Sequence, residues 1–179
     1  MKTKFTILLI FTCLFSQAQF SAAKKLLLAQ SSVPTISYTV DTFFTSSTWV
    51  CPEGVTEVTV IAIGGGGGGG NARSLAHVGA GGGGGGFSQS TLSVTPGETY
   101  DVFVGEGGLS DDNSVYSGTS SSFEYNGIRL VYAHQGELGG TQTAGLGGPA
   151  EYGIGDIKYS GGNGDTPHYQ QYSGGGGGA

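Results

Sequence analysis

The side chains able to do chemistry in this 179-residue chain are few and scattered. Its three histidines, His77, His134 and His168, lie far apart, without the paired spacing of a zinc site. Asp111 and Asp112, followed by Asn113 and Ser114, set oxygen ligands side by side. The spacing and closing glutamate of an EF-hand are missing, so this stretch reads as a solvated acidic turn. Glu98, Asp101 and Glu106 sit in turn regions with no carboxylate or base near in sequence to share acid–base work. No Gly-x-Ser-x-Gly elbow is present to raise a nucleophile. Glycine-rich runs invite a phosphate-loop reading, but no lysine follows any run as that loop requires. The dinucleotide pattern G-x-G-x-x-G is met trivially inside polyglycine and has no helix with an acidic residue behind it. An enzyme is therefore not expected, and no metal or cofactor is expected.

Groups suited to binding remain. Tyr152, Tyr159, Tyr169 and Tyr172, with His168, Gln170 and Gln171, interleave polar rings with glycine. Rigid amphipathic rings on small-residue loops suit stacking on a carbohydrate or recognition of another protein. The competing reading is that these tyrosines merely cover the faces of a glycine-rich body. His77 falls in a loop after a glycine run, and Asp111 and Asp112 fall in another loop. The candidate partner contacts are thus His77, Asp111, Asp112, Tyr152, Tyr159, His168, Tyr169 and Tyr172. Cys51 is the one cysteine left once Cys13 departs with a signal peptide. A lone thiol in an exported protein is either buried or a candidate for an intermolecular disulfide.

The export reading rests on residues 1–19. Lys2 and Lys4 make a positive end, residues 5–15 form an apolar run too short to cross a membrane, and Ser16-Gln17-Ala18-Gln19 supplies small residues for cleavage. Removing the two lysines leaves 7 − 2 = 5 basic residues against 13 acidic ones, a net charge of −8. No basic patch or stripe is present, so nucleic acid and anionic membrane are disfavoured as partners. Residues 20–37 read as an N-terminal tether with one short helix-prone patch, and no transmembrane segment is expected after signal removal. The chain is expected to be secreted and cell-surface associated.

Residues 38–179 form the domain proper, and one stretch organises it. In residues 55–63, Val58, Val60 and Ala62 fall on one face and Thr59, Ile61 and Ile63 on the other, which predicts a strand. Seven glycines follow at once at positions 64–70, with further blocks at 81–86 and 174–178. Thirty-seven glycines in all exceed by far the roughly 7% of ordinary proteins. Ordering glycine costs roughly 0.5–1 kcal/mol more than ordering alanine, so the runs are either linkers or segments that need bare backbone. The ordered alternative is the extended polyglycine helix, whose outward N–H and C=O groups pair laterally with neighbouring helices. A strand is also expected over residues 38–44. One hairpin is expected from residues 87–94 and 99–104 around Thr95-Pro96-Gly97-Glu98. A second is expected from residues 120–125 and 128–133 around Asn126-Gly127, the strongest short turn signal present. The chain stops inside a glycine run, which reads as a domain truncated or continued beyond Ala179.

The strand Trp49-Val50-Cys51-Pro52-Glu53-Gly54-Val55-Thr56-Glu57-Val58 leading into glycine resembles the start of the glycine-rich domain of bacterial surface proteins and phage tail-fibre adhesins. The turn at Thr95-Pro96-Gly97-Glu98-Thr99-Tyr100, then Val102-Phe103-Val104-Gly105-Glu106-Gly107-Gly108, then Ser121-Ser122-Phe123 and an apolar strand ending at Gly136 agree in order. The likeness spans roughly residues 43–179. Cys51 and the polar stretch Tyr132-Ala133-His134-Gln135 depart from it. The resemblance implies an all-β fold in which a small antiparallel β region over residues 38–104 leads into a bundle of polyglycine-II helices with glycine-rich loops. It further implies a non-enzymatic structural or adhesive role, with loops on the glycine scaffold contacting a surface glycan or a cell-surface protein. A self-assembling extracellular fibre or matrix subunit, associating through glycine backbone, is the alternative.

Overall fold

The computed structural model describes residues 39–70, 79–110 and 116–166. Within the compact unit Thr42–Ala179, seven strands form two antiparallel sheets. They are β1 (Ser47–Val50), β2 (Glu57–Ile63), β3 (Phe87–Ser93), β4 (Thr99–Phe103), β5 (Ser121–Tyr125), β6 (Ile128–Ala133) and β7 (Ile157–Tyr159). One sheet has the order β1-β4-β5-β6 and the other β2-β3-β7. They pack face to face, with β2 and β3 against β5 and β6.

The alternation in β2 sets the inner face. Val58, Val60 and Ala62 turn inward while Thr59, Ile61 and Ile63 are exposed. Opposite them, Val131 and Ala133 of β6 and Phe123 of β5 are buried. Tyr100 stacks on Phe123 with ring centroids 5.1 Å apart, and Trp49 leans on both at 5.7 and 6.1 Å. Truncating a ring in such a cluster typically costs about 3–5 kcal/mol. Small hydroxyls take up part of the interior. Buried Ser88 donates to the Tyr132 carbonyl at 2.7 Å, and Ser121 donates to the Ile63 carbonyl at 2.6 Å.

Two turns carry the chain between sheets. Val55 N–H donates to the Pro52 carbonyl and Glu98 N–H to the Thr95 carbonyl, at 3.1 and 3.2 Å. Gly54 and Gly97, third in their turns, both have φ +81°, the positive value a type II turn demands at that position. The turns are stitched together: Cys51 N–H donates to the Glu98 carbonyl and Gly97 N–H to the Cys51 carbonyl, at 2.9 and 2.8 Å.

This corrects the first expected hairpin. β3 pairs with β2 and β7, whereas β4 pairs with β1 and β5. Thr95-Pro96-Gly97-Glu98 therefore turns the chain from one sheet into the other. The turn signal was sound, but its stitching to Cys51 sends β4 to the other side of the core. Residues 39–44 lie in no strand, so the strand expected at 38–44 is not seen over its described part. The Asn126-Gly127 hairpin is present as read: β5 pairs with β6, and both turn residues have positive φ, 51° and 75°, as a type I′ turn requires.

The expected bundle of polyglycine helices is likewise corrected. The fold is two antiparallel sheets, and the one helical element among the described residues is the 3₁₀ turn Ala150–Tyr152. Strands continue to Tyr159, so no small β region precedes a separate glycine body. The glycine runs are outgrowths of strands: β2 passes directly into Gly64, Gly86 into β3, and β4 leads into Gly105 through Val104. Their course is set by strand pairing, and their backbones bond laterally to other segments. Gly64, Gly67 and Gly70 donate to the carbonyls of Gly86, Gly83 and Ala80 at 2.7–2.9 Å. Ala80, Gly83 and Gly86 donate in turn to Gly140, Glu137 and His134 at 2.8–2.9 Å. Gly81 and Gly84 reach Asp165 and Gly162 at 2.9 and 2.8 Å. These bonds satisfy backbone groups that no regular ladder would satisfy.

Candidate functional site

Of the expected partner contacts, Tyr152 and Tyr159 lie among the described residues, both exposed. His77, Asp111, Asp112, His168, Tyr169 and Tyr172 lie outside them, as do the expected signal peptide and tether. Tyr152 and Tyr159 are not brought together into one cluster; each extends the outer face of a different sheet.

The register places side chains on the outer face of the β1-β4-β5-β6 sheet in rows. Phe103 lies opposite Ser122, Ser122 opposite Tyr132, and Tyr132 opposite Ile154 through a bridge beyond the edge of β6. A polar row runs beside it, from Thr48 through Asp101 and Glu124 to Arg129. Phe103 is 47% exposed and Ile154 42%. Past the end of β6, His134 carries the ring series outward: it meets Tyr132 edge-on at 6.1 Å and Tyr152 at 5.8 Å.

These rings are held firmly. The Arg129 guanidinium lies 4.5 Å from the centre of the Tyr132 ring, and its Nε donates to Glu124 Oε1 at 3.2 Å. Ser122 donates to the same carboxylate oxygen at 2.7 Å. The Tyr132 hydroxyl donates to Ser120 at 2.8 Å, and Ser120 in turn donates to Gln135 Oε1. His134 Nδ1 lies 3.0 Å from the Gln135 carbonyl oxygen. The polar stretch at residues 132–135 thus supplies an outer-face network.

The outer face of the β2-β3-β7 sheet is apolar by contrast. Ile63 lies opposite Phe87 and Phe87 opposite Tyr159, with the Phe87 and Tyr159 rings 5.8 Å apart. In the next row Gln89 lies between Ile61 and Ile157, and beyond it Thr59 and Thr91 share a hydroxyl contact of 3.0 Å. Ile61, Ile63, Ile157 and Tyr159 are all exposed. β7 is fastened on its inner side, where Ser90 donates to Asp156 Oδ2 at 2.5 Å and Asp156 N–H donates to the Gln89 carbonyl.

Cys51 is buried at 1% exposure, with its thiol 3.3 Å from the Val55 carbonyl. Burial, and secondarily the Glu53 carboxylate, push that thiol up from its ordinary range. An intermolecular bridge through Cys51 would require the paired turns to open. Tyr125 donates to Glu98 Oε2 at 3.0 Å, and this bond to a carboxylate is the main cause of its raised pKa. Among the described residues no three His, Cys, Asp or Glu side chains gather as metal ligands would.

Compared with known families, residues 39–179 match the model of the glycine-rich domain. The chain belongs to the glycine-rich domain family. Neither the curated proteins nor the solved structures include a significant match to it. The steric demand behind the glycine in this glycine-rich domain is specific. A Cβ on Gly65, Gly67, Gly83 or Gly85 would overlap the carbonyl of Glu106, Glu137, Leu146 or Gly64 respectively. At Gly66 and Gly69 the nearest atoms are ordinary neighbours at 3.5 and 3.7 Å, and at Gly107 nothing lies within 4 Å. Among the described residues, Phe103 and Tyr159 are exposed from sheet strands, while Tyr116 and Tyr152 are exposed outside them. The alternation of β2 had set Ile61 and Ile63 on one face, and pairing with β3 brings Phe87 beside them.

Proposed function

We propose that this chain is an exported, non-enzymatic adhesive module of the bacterial cell surface that contacts a surface glycan or a cell-surface protein. The observation that supports this reading is the aromatic outer face built on Phe103, Tyr132 and Tyr152. Tyr132 is fixed by its hydrogen bond to Ser120 and by the Arg129 guanidinium, and Tyr152 rests against His134, so little freedom is lost there on binding. Glycine runs laced together by backbone hydrogen bonds make a stiff support for that face. The likeness to surface and tail-fibre domains points the same way. The test is binding of the labelled full chain to bacterial and host cells: saturable binding is expected, and its absence from every surface would overturn the reading.

A self-assembling fibre or matrix subunit is the second reading, favoured by one observation. The apolar rows Ile61–Gln89–Ile157 and Ile63–Phe87–Tyr159 carry no charge on a chain of net charge −6, and such patches commonly mark association surfaces. Size-exclusion chromatography with negative-stain microscopy separates the two: filaments support the subunit, a monodisperse monomer the adhesive module.

A further inference from the structure

The outer face of the β1-β4-β5-β6 sheet presents two complementary chemistries in adjacent rows. One is apolar and planar: Phe103, Tyr132 and, by way of His134, Tyr152. The other carries hydrogen-bond acceptors: Asp101 lies directly opposite Glu124, one step along the strands from Phe103 and Ser122. Rows on one face of a strand are about 6.6 Å apart, and neighbouring strands about 4.8 Å. Phe103 and Asp101 therefore lie within the span of one sugar ring, and Tyr152, reached through His134, lies along the path of a longer chain. Arg129 and Glu124 are engaged with one another, Glu124 also accepts from Ser122, and the guanidinium lies against the Tyr132 ring, so the face offers chiefly the Asp101 carboxylate and the exposed Phe103 ring. A complementary ligand brings hydroxyl donors around an apolar C–H face, which is the make-up of a pyranose sugar.

We propose that this face binds a neutral pyranose glycan, with sugar C–H faces against Phe103 and, further along the chain, Tyr152, and sugar hydroxyls donating to Asp101. The site rests on the adhesive reading and names its ligand class. Charge sets the class: two carboxylates oppose a single guanidinium on this face, so uronic or sialic acids meet net repulsion. Firm anchoring of Tyr132 through Ser120 and of Arg129 through Glu124 keeps the platform ordered before the ligand arrives.

The test is an array of neutral gluco-, manno- and galacto-oligosaccharides beside uronic and sialylated ones, probed with the full chain and three variants. Phe103→Ala and Tyr152→Ala truncate exposed rings, and Ile61→Ser alters the opposite sheet as a control. The expected result is binding to a neutral oligosaccharide, lowered about tenfold by each ring truncation and unchanged by Ile61→Ser. Phe103→Leu and Tyr152→Leu keep apolar bulk without the ring; equal loss in these variants, with the thermal midpoint retained, separates stacking from a folding defect. Neutral-glycan binding that ignores both truncations, a preference for anionic glycans, or no glycan binding at all would overturn the proposal. Cell binding measured alongside separates the two claims. Adhesion that persists without glycan binding removes the glycan site and leaves an adhesive module with a protein partner. Loss of all adhesion removes both.

Discussion

Gly66 and Gly67 are neighbours in one run, yet they face opposite demands. A Cβ at Gly67 would overlap the Glu137 carbonyl, whereas at Gly66 the nearest atom is the Gly83 carbonyl oxygen at 3.5 Å. Gly67→Ala is expected to lower stability by at least about 2–3 kcal/mol, because backbone has to move and lateral hydrogen bonds are lost with it. Gly66→Ala is expected to stay within about 1 kcal/mol of the parent. Urea denaturation of the two variants measures the difference, and equal effects would refute the close backbone packing. A second prediction concerns titration. Tyr125 and Cys51 both have raised pKa values in the folded chain, so the native state favours their neutral forms. The stability they contribute is fully present below their ordinary values of 10.0 and 9.0. It is lost as pH rises through the raised folded values. Denaturation midpoints should fall across the alkaline range, and Tyr125→Phe should flatten the upper part of that fall while leaving the thiol's share.

At the scale of elements, the two stitched turns decide which strands meet. Gly54 and Gly97 share φ +81° and have open space where a Cβ would stand, so alanine there strains the backbone without a clash. Each of Gly54→Ala and Gly97→Ala is expected to cost about 1 kcal/mol, read as a shift in thermal midpoint. A shift near zero would mean that the turns relax to another type. The segment carrying β7 is held by Ser90 and Asp156. Asp156→Ala should raise hydrogen exchange in residues 153–159 above that in β2 and β5, the expected signature of local release.

For the whole molecule, the burial of Cys51 bears on assembly. Native chain is expected to run as a monomer on a non-reducing gel, and its thiol to react with a maleimide only at the rate of opening, rising steeply in denaturant. A ladder of disulfide-linked species would place Cys51 at an interface instead. A sharp, cooperative melt is expected from a body whose glycine runs are cross-bonded to segments far away in sequence, such as Gly81 to Asp165 and Gly65 to Thr119. Because those runs continue the strands, unfolding the sheets and unlacing the glycine should coincide in circular dichroism and tryptophan emission from Trp49.

Local chemistry settled what the sequence could settle by itself. Alternation in β2 divided it into two faces, of which the structure turns Val58, Val60 and Ala62 inward, and Asn126-Gly127 marked a turn whose φ values only such residues adopt readily. Two turn sequences were read as turns, and they are turns. Tertiary structure decided where those turns sent the chain, because Thr95-Pro96-Gly97-Glu98 is compatible with a hairpin or with a crossing between sheets. The hydrogen bonds from Cys51 and Gly97, 46 positions apart, select the crossing. Tertiary structure likewise decided the fate of glycine, since a residue without a side chain carries no pattern of its own. Whether its backbone bonds within a helix bundle, or laces together segments led out of two sheets, depends on what the flanking strands pair with. The face proposed for binding was hidden for the same reason. Phe103, Ser122, Tyr132 and Ile154 sit on separate segments, and only cross-strand register aligns them.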